Sequence, residues 1–480
     1  DATLQEYCPD ILRILKCGVE PCVHNAQAIG ERVIVDGAAR VSVLYAAEDG
    51  TLQCFEQTYP FSRTADIAGL TDDCVLSATV KTEFANARAV SQRRLDIHAM
   101  LGVRLCVVRR RRDEVLTDAV GSGVQTRSKI CKLSSLEALG ETGFSLSEVI
   151  EVDQNAPPVD QIICRRAVAI PGEIKAIKNK LMLKGTLEVR VIYRSRDAKE
   201  PVQIVHTMPI SQIIEVQGVG DTTQNTLQMA LQSLEVTQKA NASGALRLLD
   251  INARIAAGVK GYQSLEIPVL VDAYSTQGGV GLDTQNFETQ LLHETFRDTF
   301  IAKHSVNFSD GVTDVLLCTA ELLPHISNCK GNALDLNGQA RFHVIYLDGE
   351  GQLRSAEKDI PLVYHRALNR AGNAPRIETN LQLLNAQHET ANDGLELRAE
   401  IGVDGNAFAR EDHTIVRGIS PLEEEIVSPR SPLTIYFAAE QEPLWEIARR
   451  YRTTIDAIRT ENDISADTAT GGQMLLIPTL

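Results

Sequence analysis

The chain has 480 residues, 44% of them hydrophobic and 5% aromatic, and its formal net charge is −15 at pH 7. This length allows three or four domains, each with its own hydrophobic core. The acidic balance argues against a general surface for nucleic acid or anionic membrane, because such surfaces are built from clustered Lys and Arg, and the low aromatic content argues against a stacking platform for single strands.

The first clear element is a strand that ends at Tyr45, and its pattern occurs three times. Residues 37–45, 185–193 and 338–346 each run from a glycine to a tyrosine, with apolar and polar residues alternating between them. A period of two is typical of a half-buried β-strand. The copies are 148 and 153 residues apart, which is the length of a domain and not of a solenoid repeat.

Other residues keep their spacing from this strand in each copy. A cysteine precedes the tyrosine by 28 or 29 residues, a proline follows it by 15 or 16, and an acid lies three positions before an alanine in a later strand. These sets are Cys17, Cys164 and Cys318; Pro60, Pro209 and Pro361; and Asp96, Asp250 and Glu396. The spacing predicts three homologous domains. A recurring acid is better explained by a structural hydrogen bond than by one reaction carried out three times.

Turn residues after the tyrosines predict hairpins. Glu48, Asp49 and Gly50 separate the first strand from a return strand at 52–61, and residues 348–351 have the same place in the third copy. Strand patterns outnumber helical ones, so we predict a mainly β protein with three homologous β-sandwich or barrel-like repeats. The suggested boundaries are 1–155, 156–310 and 311–418 for the repeats, 419–432 for a stiff Pro/Glu linker and 433–480 for a smaller module.

The ten cysteines include no C-x-x-C pair of the kind found in zinc or redox sites. Reduced thiols that pack as small hydrophobes are favoured, and they suit a reducing interior compartment; disulfides or a metal site are the alternatives. No stretch of about 18 apolar residues occurs, and no signal peptide begins at Asp1, where the initiator methionine is missing, so we expect no membrane insertion. The four arginines at 109–112 are interpreted as a solvated turn, with a local site for an anionic partner as the alternative.

The last module changes to a helical period. Four apolar residues share one helix face, and Pro443 occupies the first helical position, where a missing N–H costs nothing. The four are Leu444, Ile447, Ala448 and Tyr451. Thr453 or Thr454 can cap a second helix, and Asn462 near its end can adopt the left-handed conformation that terminates it. Strand patterns at 434–437 and 474–477 flank the helices and complete a β-α-α-β unit.

This module resembles a LysM domain. The matching motifs are Leu444-Trp445-Glu446-Ile447-Ala448, Thr453-Thr454, Asn462-Asp463-Ile464 and Gly472-Gln473-Met474-Leu475-Leu476-Ile477-Pro478. LysM domains generally bind N-acetylglucosamine glycans such as peptidoglycan in a shallow groove between two loops. The resemblance implies a groove for a ligand or protein partner, lined by Gln441, Glu442, Pro443 and Leu444 from one loop and by Asn462, Asp463 and Ile464 from the other.

The first of these loops departs from the family pattern. Gln441-Glu442-Pro443 stands where the family has Gly-Asp-Thr, so a permissive glycine, a hydroxyl and a backbone donor are lost. Acetamide recognition relies on such donors, and the carboxylates of Glu440 and Glu442 add nothing for a neutral sugar. Glycan binding, docking of a protein in the same groove and a purely structural role all stay open.

The three upstream repeats resemble SPOCS domains, which are found in spore-forming Firmicutes. The likeness is carried by the glycine-to-tyrosine strands and by Val271-Asp272-Ala273-Tyr274-Ser275. The segment from Leu270 to Ser275 has its counterpart after the first repeat in Leu116-Thr117-Asp118-Ala119-Val120. Three such repeats followed by one LysM domain is the layout of clostridial coat-morphogenesis proteins. The resemblance implies a mother-cell scaffold at the forespore surface, with the LysM domain docking the ATPase of the coat basement layer or another coat protein.

We find no catalytic constellation in the sequence. There is no G-x-S-x-G elbow and no phosphate-binding loop, and His293-Glu294 lacks the second histidine of H-E-x-x-H. We therefore predict a protein that is not an enzyme, with no catalytic residues, no cofactor and no metal. Two hypotheses remain: a spore-coat assembly scaffold inside the mother cell, and a cell-wall protein that binds peptidoglycan through its LysM domain. Reduced cysteines and the lack of an export signal favour the first.

Overall fold

The structure is a computed structural model that describes residues 2–6, 8–71, 74–109, 113–198, 201–369, 375–391, 394–422 and 432–479. Within these residues the protein is mainly β, and both helices lie in the last module, which confirms the predicted fold class. Three of the four arginines at 109–112 and most of the predicted linker at 419–432 lie outside the described residues.

The strands fall into three similar series followed by the last module. The first series is β1 (Ala2–Thr3), β2 (Ile11–Ile29), β3 (Arg32–Ala47), β4 (Leu52–Asp66), β5 (Val75–Ser91) and β6 (Arg94–Val108). The second is β7 (Val124–Glu151), β8 (Gln161–Ile177), β9 (Lys180–Arg194), β10 (Val202–Glu215), β11 (Thr223–Ala240) and β12 (Leu246–Ser275). The third is β13 (Gly279–Val306), β14 (Asp314–Leu322), β15 (Ile326–Lys330), β16 (Ala333–Leu347), β17 (Leu353–Ala367), β18 (Arg376–Ala391) and β19 (Gly394–Leu422). The last module has β20 (Leu433–Phe437), β21 (Glu442–Pro443), α1 (Leu444–Arg450), α2 (Ile455–Asn462), β22 (Thr468–Ala469) and β23 (Met474–Pro478).

Each series forms two sheets with the same strand order. One sheet is centred on the strand that ends in the repeated tyrosine: β2-β3-β4, β8-β9-β10, and β16 flanked by β14, β15 and β17. The other sheet is β1-β6-β5, β7-β12-β11 or β13-β19-β18. The topologies around Tyr45, Tyr193 and Tyr346 are therefore alike. β7 ends before the predicted boundary at 155 and β13 before that at 310, but each pairs with a strand that follows the boundary: β7 with β12, and β13 with β19. The boundaries themselves stay predictions.

The chain divides into two compact units. The first comprises Asp1–Arg110, Leu136–Gln263 and His293–Phe408. The second comprises Arg111–Ser135, Ser264–Leu292 and Ala409–Leu480, and so includes the last module.

Repeated glycines and prolines in the first unit have local steric reasons. A Cβ atom on Gly37 would lie 2.2 Å from the carbonyl oxygen of Cys22, and one on Gly185 would lie 2.5 Å from that of Ile170, so only glycine fits. The repeated prolines lie on β4, β10 and β17, which are edge strands. Proline is tolerated there because an edge strand does not need every N–H for the ladder.

The repeated tyrosine is buried in all three repeats, and its neighbouring strand bulges at the same point. Ile14, Ile162 and Val315 pair with the three tyrosines, and the next residue of each strand is left out of register. The hydroxyl of Tyr45 donates to the carbonyl of Pro9 at 3.2 Å, and that of Tyr193 donates to the carbonyl of Pro157 at 2.8 Å. A buried tyrosine needs such a partner, and the common bulge indicates a shared architecture.

The repeated cysteines do not occupy one structural position. Cys17 and Cys318 pair with Val43 and Val344, whereas Cys164 pairs with Ile192, one step closer to the tyrosine. A shift of one residue turns a side chain to the other face of the sheet. Cys17 and Cys318 accordingly pack against the cores of their own repeats, and Cys164 packs against a different cluster. The spacing of 29 instead of 28 residues was the sequence signal of this difference.

That different cluster is a hydrophobic core shared by all three repeats. The residues that precede the repeated tyrosines, Leu44, Ile192 and Ile345, meet in it. Its other buried members are Leu15, Ala46, Leu52, Ile163, Leu317 and Leu353. The three repeats of the first unit therefore pack against one another and are not independent domains joined by linkers.

Polar contacts also join the repeats within the first unit. Lys16 Nζ donates to Thr319 Oγ1 at 2.5 Å, and Arg165 forms an ion pair with Glu56 at 2.9 Å. Burial, followed by the charge of Arg166, lowers the pKa of Lys16 to about 8. These contacts connect side chains from different repeats beside the shared core.

Truncation in the shared core should weaken all three repeats together. We expect Leu44→Ala, Ile192→Ala and Ile345→Ala each to lower the free energy of unfolding by about 2–4 kcal/mol, because each removes buried methyl groups from tightly packed surroundings. Urea unfolding followed by far-UV circular dichroism measures the loss, and Ile213→Ala on the exposed face of β10 is the control. Native-state hydrogen exchange that accelerates only in the substituted repeat would contradict a shared core.

Thiol reactivity should separate buried from exposed cysteines, none of which forms a disulfide in the structure. Burial raises the pKa of Cys17 to about 11 and of Cys318 to about 12, and it also raises the pKa of Cys54 and Cys164. Only the thiolate reacts with a disulfide reagent. At pH 8 we expect Ellman's reagent to label the exposed Cys106 rapidly and these four thiols only after unfolding. Cys106→Ser should lower the fast phase by one thiol per chain, and rapid labelling of any of the four in native protein would contradict their burial.

Candidate functional site

The last module folds as the predicted β-α-α-β unit. β20 and β23 pair antiparallel, with Tyr436 opposite Leu475, and β21 pairs with β22. The helices α1 and α2 lie between these strands in the chain. Its buried core consists of one face of each helix and the inner face of β23: Leu444, Trp445, Ile447, Ala448, Ile458, Leu475 and Ile477, with Ala438 and Ala469.

Two of the predicted helix boundaries shift by one residue. Pro443 is the N-cap of α1 and not its first helical residue, because it belongs to the β21 bridge with Thr468. Thr454 caps α2 as predicted, accepting a hydrogen bond from the N–H of Ala457 at 3.1 Å. The left-handed residue at the end of α2 is Asp463, with φ 51°, and not Asn462.

Glu442 organises the first predicted groove loop. Its carboxylate accepts hydrogen bonds from the Tyr436 hydroxyl at 2.8 Å and from the N–H of Ala439 at 3.0 Å, and it forms an ion pair with Arg450 at 3.3 Å. Arg450 also donates to the Tyr436 hydroxyl at 2.8 Å. The hydrogen bond from Ala439, with those from Tyr436 and the charge of Arg450, holds the pKa of Glu442 below its usual value.

The other residues of this loop differ in exposure. Gln441 is exposed and has φ 53°, a left-handed conformation that glycine would adopt without strain. Pro443 is exposed as well. The side chain of Leu444 is fully buried in the module core, and its N–H donates to the carbonyl of Asp467 at 2.9 Å. Leu444 therefore anchors the loop to the module core and is not itself available to a ligand.

The second predicted groove loop is tied to β23 by Asn462. Its amide nitrogen donates to the carbonyl of Leu476 at 2.7 Å, and its amide oxygen accepts from the N–H of the same residue at 2.6 Å. Asp463 is exposed, and Ile464 is partly buried against the module core. Of the polar side chains predicted to line the groove, Glu442 and Asn462 are thus engaged within the module, whereas Gln441 and Asp463 face solvent.

The repeated acids have structural partners in two of the three repeats. Asp96 forms an ion pair with Arg88 at 2.7 Å, and Asp250 forms one with Lys239 at 2.5 Å, each between neighbouring strands. Among the described residues, no group of three or more His, Cys, Asp or Glu side chains is placed to hold a metal ion. No described helix has both the length and the apolar character that crossing a membrane requires.

Comparison with known families agrees with the motifs. Residues 10–90 and 158–239 match the family model described as SipL, SPOCS domain, and residues 442–478 match that of the LysM domain. The chain therefore combines SPOCS domains with a C-terminal LysM domain, as predicted. The third repeat lies outside the matched segments and is related to the other two by its strand order. No protein of curated function and no solved structure gives a significant match.

Both families are non-catalytic, and they associate the chain with sporulation and with a capacity to bind peptidoglycan.

The LysM module should lose stability in acid through Glu442. Because its pKa is lowered in the folded state, this carboxylate stabilises the module at pH values above its ordinary pKa of about 4.5, and the contribution is lost as pH falls through the folded pKa. Trp445, the only tryptophan of the chain, lies in the module core and reports its unfolding. We expect Glu442→Gln to remove this part of the pH dependence, whereas Glu461→Gln on the exposed side of α2 should retain it. Identical acid profiles for wild type and Glu442→Gln would contradict the assigned role.

Proposed function

We propose that this protein, with SPOCS domains joined to a LysM domain, is a non-enzymatic assembly scaffold of the spore coat. In this proposal it acts in the mother-cell cytoplasm at the forespore surface. Its LysM groove docks a coat protein, for which the ATPase of the coat basement layer is the first candidate. The family matches support a sporulation role, and the groove chemistry supports a protein as the ligand.

The observation that carries this proposal is the internal use of the groove's polar groups. Glu442 accepts hydrogen bonds from Tyr436 and Ala439, and Asn462 forms two with the backbone of Leu476. Both side chains are thus already hydrogen-bonded within the module. Recognition of an acetamido sugar needs donors and acceptors that remain available, since a polar group that stays unpaired on binding costs affinity. A protein surface can instead contact the exposed Gln441, Pro443 and Asp463 through shape and backbone groups.

The shared core of the first unit also supports a scaffold role. Three repeats that pack around Leu44, Ile192 and Ile345 present their outer faces at fixed mutual positions. Fixed spacing is what a protein needs to hold partners in register. No step in this proposal requires a reaction or a cofactor.

The alternative is a cell-wall protein that binds peptidoglycan through its LysM domain. The LysM family match favours this alternative, since LysM domains are associated with peptidoglycan binding. The replacement of Gly-Asp-Thr by Gln441-Glu442-Pro443 and the hydrogen bonds of Glu442 weigh against it.

Two binding assays with the full chain separate these functions. The chain is incubated with purified basement-layer ATPase and, separately, with purified peptidoglycan sacculi. We expect binding to the ATPase and no co-sedimentation with sacculi. The double variant Gln441→Asn, Asp463→Asn should bind the ATPase several-fold more weakly, because both exposed side chains change while asparagine still tolerates the left-handed backbone at each position.

Asp456→Asn is the matched control, because Asp456 is exposed on α2 outside both loops. Sedimentation with sacculi that survives boiling and protease treatment of the sacculi, combined with no binding to the ATPase, would reject the scaffold and establish the alternative.

A further inference from the structure

Residues 270–275 of β12, here called the docking strand, contact helix α1 of the LysM module within the second compact unit. Asp272 is only 7% exposed. Its Oδ2 atom accepts hydrogen bonds from the indole Nε1–H of Trp445 at 2.7 Å and from a guanidinium N–H of Arg449 at 3.0 Å. Trp445 and Arg449 are four residues apart and lie on one face of α1, so both can reach a single carboxylate oxygen.

Tyr274 adds a second set of contacts to the same helix. Its ring meets the Trp445 ring edge to face, with centroids 4.9 Å apart, and its hydroxyl donates to the carbonyl of Thr453 at 2.8 Å. Tyr274 is 6% exposed and belongs to the module's hydrophobic core. Burial, together with the charge of Asp272, raises the pKa of Tyr274 to about 12, so the hydroxyl remains a donor at physiological pH.

Arg127, at the start of β7, contacts the outer side of the same indole. Its guanidinium lies 5.5 Å from the centre of the Trp445 ring and 3.8 Å from the carboxylate of Glu446. The indole therefore has a carboxylate on its N–H, an aromatic ring against it and a cation over it, and only 7% of Trp445 is exposed. Cation–π and edge-to-face contacts of this kind are favourable beyond simple burial.

The first repeat provides an internal comparison, because Leu116–Val120 has the spacing of the docking strand. Asp118 and Asp272 each accept a hydrogen bond from the N–H of the following alanine, at 2.8 and 2.9 Å. Asp118, however, is exposed and is satisfied locally by the Thr126 hydroxyl at 2.5 Å. Val120, the counterpart of the buried Tyr274, is fully exposed. The second repeat thus has side chains for binding α1 where the first repeat has none.

We propose that the docking strand is an intramolecular binding site for helix α1, with Asp272 and Tyr274 as positioning residues and Trp445 as the group that they bind. A carboxylate buried as deeply as Asp272 is costly unless it is paired and hydrogen-bonded, and two of its donors come from α1. The site fixes the orientation of the LysM groove relative to the docking strand. It also keeps Trp445 from any external ligand, so a partner is recognised by the two groove loops alone. The last statement rests on the proposed function; the docking itself does not.

The single tryptophan makes the docking directly measurable in the full chain. We expect Asp272→Ala to shift Trp445 emission to longer wavelength and to raise acrylamide quenching several-fold, while far-UV circular dichroism stays unchanged because the sheets do not depend on this contact. Tyr274→Phe and Arg449→Gln each remove one contact and should raise quenching by smaller amounts. If Asp272→Ala fails to fold, these two milder variants still test whether Trp445 is held by the docking strand.

Asp118→Ala is the matched control, since it removes the equivalent aspartate from the first repeat without touching the LysM module, and it should leave emission and quenching at the wild-type values. Wild-type fluorescence in Asp272→Ala, Tyr274→Phe and Arg449→Gln would overturn the docking site. That result is independent of the ATPase and sacculus assays, so failure of the docking and failure of the scaffold function are distinguishable.

Discussion

The structure depends on the two-residue period of one strand in each repeat. Along β3, β9 and β16 the tyrosine turns to the core of its own repeat, and the residue before it turns to the core that all three repeats share. Two neighbouring side chains thus serve two different cores, because successive residues of a strand point to opposite faces. Removal of this alternation would leave three separate sandwiches with an exposed apolar face on each, a state that soluble proteins avoid.

Local features of the fold could be predicted from the sequence, and contacts between distant residues could not. The glycine-to-tyrosine strands, the hairpins that follow them and the two LysM helices all have short-range signals: alternation, turn residues and caps. Cys164 packs on the other face from Cys17 and Cys318 because it lies 29 instead of 28 residues before its tyrosine, and the spacing alone did not say which face each cysteine would occupy. The left-handed residue after α2 fell one position later than predicted, because helix ends are defined only to within a residue or two by sequence patterns. The contact of Asp272 with Trp445 joins residues 173 positions apart, and a single sequence has no signal for such a pair.

The LysM module combines a familiar framework with altered loops. Its helices, the N-cap of α2 and its final strand follow the family motifs. In the loop before α1, the family's flexible, donor-rich segment is replaced by one in which Glu442 binds Tyr436 and Arg450. The departure from the family therefore falls in one of the two loops predicted to line the groove, and not in the framework. The docking strand also limits what the module can bind, because Asp272 and Tyr274 already contact Trp445, the tryptophan of the LysM motif.

The shared core also constrains how the sequences of the three repeats can diverge. Leu44, Ile192 and Ile345 meet at one place, so a larger side chain in one repeat requires a smaller one in another, since packed interiors tolerate little change in volume. Duplicated domains on flexible tethers can diverge independently; these three cannot. Their inward faces must change in concert, and freedom to acquire new partners is left to their outward faces and loops.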